Sequence, residues 1–349
     1  METERQPEKS TRPQSEDKGY RVLAAAEASG DFVQEFAAAV MEGLAEKPKR
    51  LSSRFIYDDA GSEYFRQIMA LEEYYPTRCE AEILREQGSA IAERFAGVNL
   101  NVVDLGAGDG AKTMLLLRHF AAAGVPCSYV PIDISEGAMA GLAGFARREV
   151  PTLGVAGLVA DYWTALRWLN DNSQGQRNLV LFLGSNIGNF DKANARNFLR
   201  RLWTALRPDD YVFIGFDLKK DIDKLLAAYN DSKGVTARFN KNLLARINNE
   251  LGGHFDLDKF RHYATYDVFS GAMESYLVSL VEQTVQVDAL DREFRFDEWE
   301  PMHTEYSYKY LQQDIEGLAA HTGFVIEDAY YDSNRWYCGS LWRVEKGLA

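Results

Sequence analysis

The chain has 349 residues, 46% of them apolar and 26% charged, which is enough for a sizeable core and far from the composition of a disordered chain. A formal net charge of −13 argues against a phosphate-tracking surface, because nucleic-acid binders gather Lys and Arg to displace counterions. Three scattered cysteines (Cys79, Cys127 and Cys338), no signal-peptide core and apolar runs no longer than a strand leave a small-molecule partner and a reducing cytoplasm as the expectation, with no nucleic acid, membrane or metal involved.

Residues 1–19 are polar and carry Pro7 and Pro13, so burial cannot offset the entropy of ordering them, and they read as a disordered tail. Apolar positions recur at helical spacing from Phe32 to Glu46 and from about Ser62 to Met69. The segment Leu71-Glu-Glu-Tyr-Tyr-Pro-Thr-Arg78 interrupts that pattern; Pro76 disfavours helix at Tyr75 and marks a boundary before a helix over roughly 80–95. From residue 101 short β-rich runs alternate with helices. Strands are expected over 101–105, 128–134, 155–160, 179–184 and 211–218, with helices over 111–123, 135–149, 162–169 and 193–206. After a helix near 312–322, strands at 324–331 and 336–345 close the chain across a short turn. The fold class is α/β: a Rossmann-like, mostly parallel sheet that ends in an antiparallel hairpin.

The segment from about Lys219 to Tyr310 breaks the alternation, with helices around 222–230 and 239–251 and then strands at 274–287 and 294–297. It reads as an insertion. Residues 20–79 and 219–309 would form a second, α+β substrate-binding domain, and residues 80–218 and 310–349 the sheet domain.

The sharpest local signal is Val102-Val-Asp-Leu-Gly-Ala-Gly-Asp-Gly-Ala-Lys-Thr113. Gly106, Gly108 and Gly110 let backbone amides approach a ligand closely, and the helix that follows favours a carboxylate at its N-terminus. Such a turn suits an adenosyl cofactor or a dinucleotide, or merely allows tight packing. Asp133 ends the next strand where a carboxylate would accept two ribose hydroxyls, a place that a solvated strand-end acid also fits. Ala160-Asp161-Tyr162 follows the third strand, with an acid to receive an adenine amino group and a ring to pack on the base; Asp161 would also cap a helix. Three strand ends in the right order favour the adenosyl reading, and no Gly-x-x-x-x-Gly-Lys-Ser/Thr loop is present. Lys112 could pair with a cofactor carboxylate or sit at the surface.

The fourth strand leads into Gly184-Ser-Asn-Ile-Gly-Asn189, a polar cluster of Ser185, Asn186 and Asn189. Asn189 can bind an amine and leave its lone pair for attack, although an asparagine in a left-handed turn beside Gly188 reads the same. In Met302-His-Thr-Glu-Tyr-Ser-Tyr-Lys-Tyr310, a strand would put Glu305, Ser307 and Lys309 on one face and Tyr306 and Tyr308 on the other. Glu305 with Ser307 could grip a polar heterocycle, or belong to an exposed charged strand.

With Phe55-Ile-Tyr-Asp-Asp-Ala-Gly-Ser-Glu-Tyr-Phe65, Glu73-Tyr-Tyr-Pro-Thr-Arg78, Phe182-Leu-Gly-Ser-Asn-Ile-Gly-Asn189, Ala228-Tyr-Asn-Asp231, Gly234-Val-Thr236, Phe239-Asn-Lys-Asn242 and Thr304-Glu-Tyr-Ser-Tyr-Lys309, the chain resembles the histidine Nα-methyltransferases of ergothioneine biosynthesis. The resemblance spans nearly everything after the tail. It implies a class I methyltransferase fold with a seven-stranded sheet, S-adenosyl-L-methionine as cofactor, and the α-amine of histidine as acceptor, methylated up to the trimethyl betaine. Gly106, Lys112, Asp133, Asp161 and Tyr162 would hold the cofactor. Tyr57, Tyr74, Asn189 and Tyr229 would surround the amine and carboxylate, with Tyr57 and Asn189 as the catalytic pair, while Glu305 and Ser307 would hold the imidazole.

Two positions depart from the family pattern. Met273-Glu-Ser-Tyr-Leu277 puts Ser275 where a methionine is usual, and Asn186 replaces the threonine of Gly-Ser-Thr-Ile-Gly-Asn. Both bear on the side-chain or amine pocket rather than on the cofactor. The competing readings are an α-N-methyltransferase for another amino acid, such as tryptophan, and a non-catalytic homologue that binds the cofactor. A monomer is expected.

Overall fold

The structure, a computed structural model, describes residues 19–23, 29–133, 136–172 and 175–347. Apart from Gly19, the tail expected over 1–19 lies outside them, as do Ile134 and Ser135 at the expected junction of the second strand and its helix. The described chain opens with β1 (Tyr20–Val22), α1 (Ser29–Ala45), β2 (Lys49–Arg50), α2 (Asp59–Met69), α3 (Tyr75–Glu86) and α4 (Gly88–Glu93). An alternating run follows: β3 (Leu100–Leu105), α5 (Ala111–Ala122), β4 (Cys127–Asp133), α6 (Glu136–Glu149), β5 (Gly154–Val155), β6 (Gly157–Val159), α7 (Tyr162–Asn172), β7 (Arg177–Phe182), α8 (Lys192–Ala205) and β8 (Tyr211–Asp217). Next come α9 (Ile222–Tyr229), α10 (Val235–Leu251), β9 (Phe260–Asp267), β10 (Ala272–Ser279), β11 (Gln283–Val287), β12 (Arg292–Phe296) and β13 (Pro301–Tyr308). The chain closes with α11 (Gln312–Thr322), β14 (Phe324–Tyr331) and β15 (Tyr337–Val344).

The large sheet runs β1-β6-β4-β3-β7-β8-β15-β14, with the short β5 beside β4. Its strands pair in parallel except β15, which is antiparallel to both β8 and β14. Leaving out β1 and β5, this is the seven-stranded order of a class I methyltransferase. Every residue of β3 is buried, because helices cover both faces of a parallel sheet. Leu100 and Val102 enter the core on one face, and Val103 and Leu105 that on the other, as a period of two requires.

Three expectations are corrected. Residues 20–22, assigned from sequence to the substrate-binding domain, pair with β6 and extend the large sheet, Tyr20 lying opposite Gly157; an added strand satisfies the edge groups that β6 would otherwise leave open. Pro76 does not precede a helix but sits in the first turn of α3, where its missing N–H would have had no partner anyway. The strand expected over 274–287 is two strands, and β9, read from sequence as no strand at all, pairs with β10 along its length. The order β2-β13-β10-β9 makes a second, four-stranded sheet, against which α9 and α10 pack, and β11 and β12 form a separate hairpin.

Candidate active site

The carboxyl ends of β6, β4 and β3 lie side by side in the large sheet. After β3 the chain turns through Gly106, whose φ of +73° suits a residue without a side chain. A Cβ built there would lie 2.8 Å from the Tyr162 hydroxyl, so the turn lies against that hydroxyl. The acid preceding the turn, Asp104, is buried and faces inward: Thr113 Oγ1 donates to its Oδ2 at 2.6 Å and the Tyr129 hydroxyl at 2.9 Å. Burial pushes its carboxyl up to about 6, against those two bonds. Asp104 therefore staples the turn to α5 and β4.

Asp133 ends β4, and Asp161 follows β6 at the mouth of α7. Asp161 Oδ1 accepts from the N–H groups of Trp163 at 2.9 Å and Thr164 at 3.1 Å, an N-cap. Burial opposes its ionisation, but the bonds from Thr164 and Trp163 outweigh that and hold the carboxyl below its ordinary value. Tyr162 is pushed up to about 12, first by burial and then by the neighbouring Asp133 and Asp104.

Lys112 is tied down. Its ammonium donates to Glu80 Oε2 at 2.5 Å, and Glu80, 1% exposed, also accepts from the Gly184 N–H at 2.9 Å and the Tyr337 hydroxyl at 2.8 Å. Glu80 was missed from sequence. It stands 104 residues from Gly184, and nothing in its local pattern separates it from a surface glutamate on a helix.

Beside this sheet edge is a cavity. Tyr57, Tyr74, Asn189, Tyr229, Glu305 and Ser307 all line it, together with Phe65, Phe239, Thr236 and the Gly184–Asn186 turn. Gly106, Lys112, Asp133, Asp161 and Tyr162 are not among its walls; they belong to the adjoining strand ends. Asn186 links the two regions, its Nδ2 4.0 Å from the Cβ position of Gly106 and its Oδ1 3.6 Å from that of Gly184.

Several elements bring these side chains together. Ser185 takes the left-handed conformation, φ +56°, and caps the short 3-10 turn Asn186–Asn189. At Gly188 an added Cβ would meet the Tyr308 carbonyl at 2.8 Å, so the turn that carries Asn189 is pressed onto β13. In β13 the register against β10 slips: Ser275 faces Glu305 and Tyr276 faces His303, leaving Thr304 as an extra residue. The bulge lets consecutive residues both face inward: Thr304 donates to Asn240 Oδ1 at 2.7 Å while Glu305 reaches the cavity. On the outer face His303, Tyr306 and Tyr308 stack along the strand.

Tyr57 packs edge-on against Phe65 and Phe239, with ring centroids 5.6 and 5.3 Å away, and Tyr74 lies 6.2 Å from Tyr229. The Tyr229 hydroxyl and Ser307 Oγ are 2.7 Å apart, and Lys309 Nζ donates to each at 2.8 Å. Burial holds the Tyr74 and Tyr229 phenols well above their ordinary value. Glu305 is half-buried, and no described residue donates a hydrogen bond to it; burial pushes its carboxyl up to about 7, against the pull of Lys309. Ser275, expected at the side-chain or amine pocket, is instead buried opposite Glu305 on the neighbouring strand and is not among the cavity's walls.

Among the described residues no helix is long and apolar enough to cross a membrane, and no group of His, Cys, Asp or Glu could hold a metal ion.

Residues 36–344 match the family model described as histidine-specific methyltransferase, SAM-dependent. A histidine N-alpha-methyltransferase of Mycobacterium tuberculosis is 38% identical over 284 residues, 81% of this chain and 87% of the relative. Ergothioneine biosynthesis protein 1 of Schizosaccharomyces pombe is 29% identical across 83% of this chain and 38% of its own length. An L-tryptophan methyltransferase of Psilocybe serbica is more distant, 25% identical across 89% of this chain and 93% of its own. The chain therefore belongs to the S-adenosylmethionine-dependent, histidine-specific methyltransferase family.

Proposed function

We propose that this enzyme transfers the methyl group of S-adenosyl-L-methionine to the α-amine of L-histidine, and that successive transfers carry the amine to the trimethyl betaine. The observation that carries the histidine reading is Glu305, a carboxylate to which no described residue donates, in the same cavity as the Ser307–Tyr229 hydroxyl pair. A neutral imidazole brings one N–H and one acceptor nitrogen, so Glu305 takes the first and the hydroxyl pair serves the second. An indole has only the N–H and would leave a buried donor unmatched, a strong discriminator between substrates.

The residues at the strand ends suit the cofactor. Gly106 keeps the space beside the Tyr162 hydroxyl free, Asp133 and Asp161 follow in the order a ribose and an adenine need, and the Glu80–Lys112 pair braces the Gly184 turn between them and the cavity. When bound, the cofactor supplies a sulfonium methyl group as the electrophile. Gly106, Asp133, Asp161 and Tyr162 would hold it, and Lys112, its charge already shared with Glu80, would be available to its carboxylate.

The chain's own contribution is alignment and exclusion of water. Asn189 accepts an N–H of the amine, leaving the lone pair to point toward the strand ends. Tyr74 and Tyr229 stay neutral at ordinary pH, so neither acts as a base: Tyr74 orients the amino acid's carboxylate by donating to it, while the free proton of the Tyr229–Ser307 pair goes to the imidazole. An α-amine at a peptide terminus titrates near ~8 and that of a free amino acid somewhat higher, so a small downward shift in the site exposes the lone pair without a strong base. Tyr57, whose phenol burial likewise holds well above its ordinary value, stays neutral and, 39% exposed at the cavity mouth, relays the displaced proton to solvent by accepting it as it gives up its own.

The test is turnover with each free amino acid, read by product mass. Histidine should give the highest kcat/KM, with species carrying one, two and three added methyl groups. Faster turnover of tryptophan would overturn the histidine reading, and cofactor binding without any amino-acid-dependent turnover would make the chain a binding protein.

A further inference from the structure

The mechanism above leaves unused a buried charge cluster behind the cavity. Asp217, the last residue of β8, has no exposed surface. Its carboxylate accepts from the Tyr75 hydroxyl at 2.9 and 2.8 Å, from Lys309 Nζ at 2.8 Å and from Lys220 Nζ. Its N–H donates to Ser185 Oγ at 3.1 Å and its carbonyl accepts from the Tyr310 N–H at 2.9 Å. Burial opposes ionisation of this group, yet Lys309 and Lys220 together hold it below the usual carboxylate range.

The partners are placed where the chain crosses between its two sheets. Lys220 follows β8 as the chain leaves the large sheet, Lys309 follows β13 as it returns, and Tyr75 opens α3, where the N-terminal segment rejoins it. Three separate crossings meet on one carboxylate.

Lys309 carries that charge to the substrate side. An ammonium has three N–H donors, and here all three are engaged, by Asp217 Oδ2, the Tyr229 hydroxyl and Ser307 Oγ, each at 2.8 Å. The two hydroxyls therefore accept from Lys309, and one donates to the other across 2.7 Å. Of their two protons, one remains to point into the cavity. A neutral or missing side chain at 309 would remove that constraint and leave both hydroxyls free to turn.

We infer that Asp217 is a positioning residue: through Lys309 it sets the place and the hydrogen-bond polarity of the Tyr229 and Ser307 hydroxyls. The inference rests on the proposed reading for the identity of the ligand.

The experiment is calorimetric titration of L-histidine into the full-length enzyme saturated with S-adenosylhomocysteine. If the parent binds no histidine, the substrate reading fails by itself, and the titration is run with whichever amino acid the turnover assay identifies. Asp217→Asn keeps the shape and removes the charge; it should weaken the amino acid by roughly 10-fold or more while S-adenosylhomocysteine stays within about twofold. Lys309→Met should do the same. Lys220→Met removes the other ammonium from the same carboxylate but touches neither hydroxyl, and should leave amino-acid affinity within about twofold. If Asp217→Asn does not fold, Lys309→Met decides alone, since Lys220 still neutralises Asp217 in that variant. Equal losses in the two lysine variants, or amino acid and cofactor weakening together, would mean that the cluster only supports the fold and would overturn the inference.

Discussion

Replacing Glu305 by Gln removes a charge and almost no volume, and its effect on stability should run opposite to its effect on binding. The Glu305 carboxyl stands at about 7 rather than 4.5 because burial disfavours its charged form more than Lys309 favours it. A folded-state value above the unfolded one means that the folded protein holds this proton more tightly. Stability from this group is therefore greatest below 4.5, falls as the pH rises to about 7, and stays at the lower level above that. A difference of that size corresponds to roughly 3 kcal/mol at most. The carboxylate faces an open cavity and keeps part of its hydration, which reduces the effect to about 1–2 kcal/mol. Glutamine carries no such penalty.

The ligand-free Glu305→Gln protein should therefore melt about 1–3 °C above the parent near pH ~8.5, and together with it near pH ~4.5. With histidine the order reverses, because a hydrogen bond to a charged group contributes ~1.5–3 kcal/mol, a loss of roughly 10-fold or more in affinity. Scanning calorimetry of both proteins at the two pH values, with titration of histidine at the higher one, reads both effects. A melting difference that does not change with pH would refute the reasoning, since Glu305 would then ionise as freely as a surface carboxylate.

Two further outcomes are expected. Gly106→Ala forces a side chain into a left-handed turn at φ +73° and to within 2.8 Å of the Tyr162 hydroxyl; strain of ~1–3 kcal/mol should lower S-adenosylhomocysteine affinity by about 10-fold by calorimetry, and an unchanged affinity would mean that this turn is not the cofactor's bed. Lys112→Met leaves the buried Glu80 with only the Gly184 N–H and the Tyr337 hydroxyl, which should cost about 3 kcal/mol in denaturant melts. Adding Glu80→Gln should recover most of that loss; no recovery would show that the pair is not what stabilises the Gly184 turn.

The large sheet was legible because a parallel strand covered on both faces reads as a nearly unbroken apolar run, as Leu179–Phe182 does, and because acids at its strand ends stand out against such runs. β9 was not, since Phe260–Asp267 buries only alternate positions in its first half and carries Arg261, His262 and Tyr263 among them. Glu305 could be singled out as one of three residues on a strand face; that a bulge at Thr304 turns it into the cavity could not, because a register slip depends on the partner strand.

Glu80 and Asp217 were invisible for a related reason. A carboxylate can be buried only where donors converge on it, and the donors here come from Lys112, Gly184 and Tyr337 in one case and from Tyr75, Lys220 and Lys309 in the other. Periodicity and neighbour spacing, which are local, were enough to order the strands, to find the glycine turn and to place Asp133 and Asp161 at adjoining strand ends. Which of the remaining polar residues face a ligand, and which lock the two sheets together, was decided only when packing brought together segments more than a hundred residues apart.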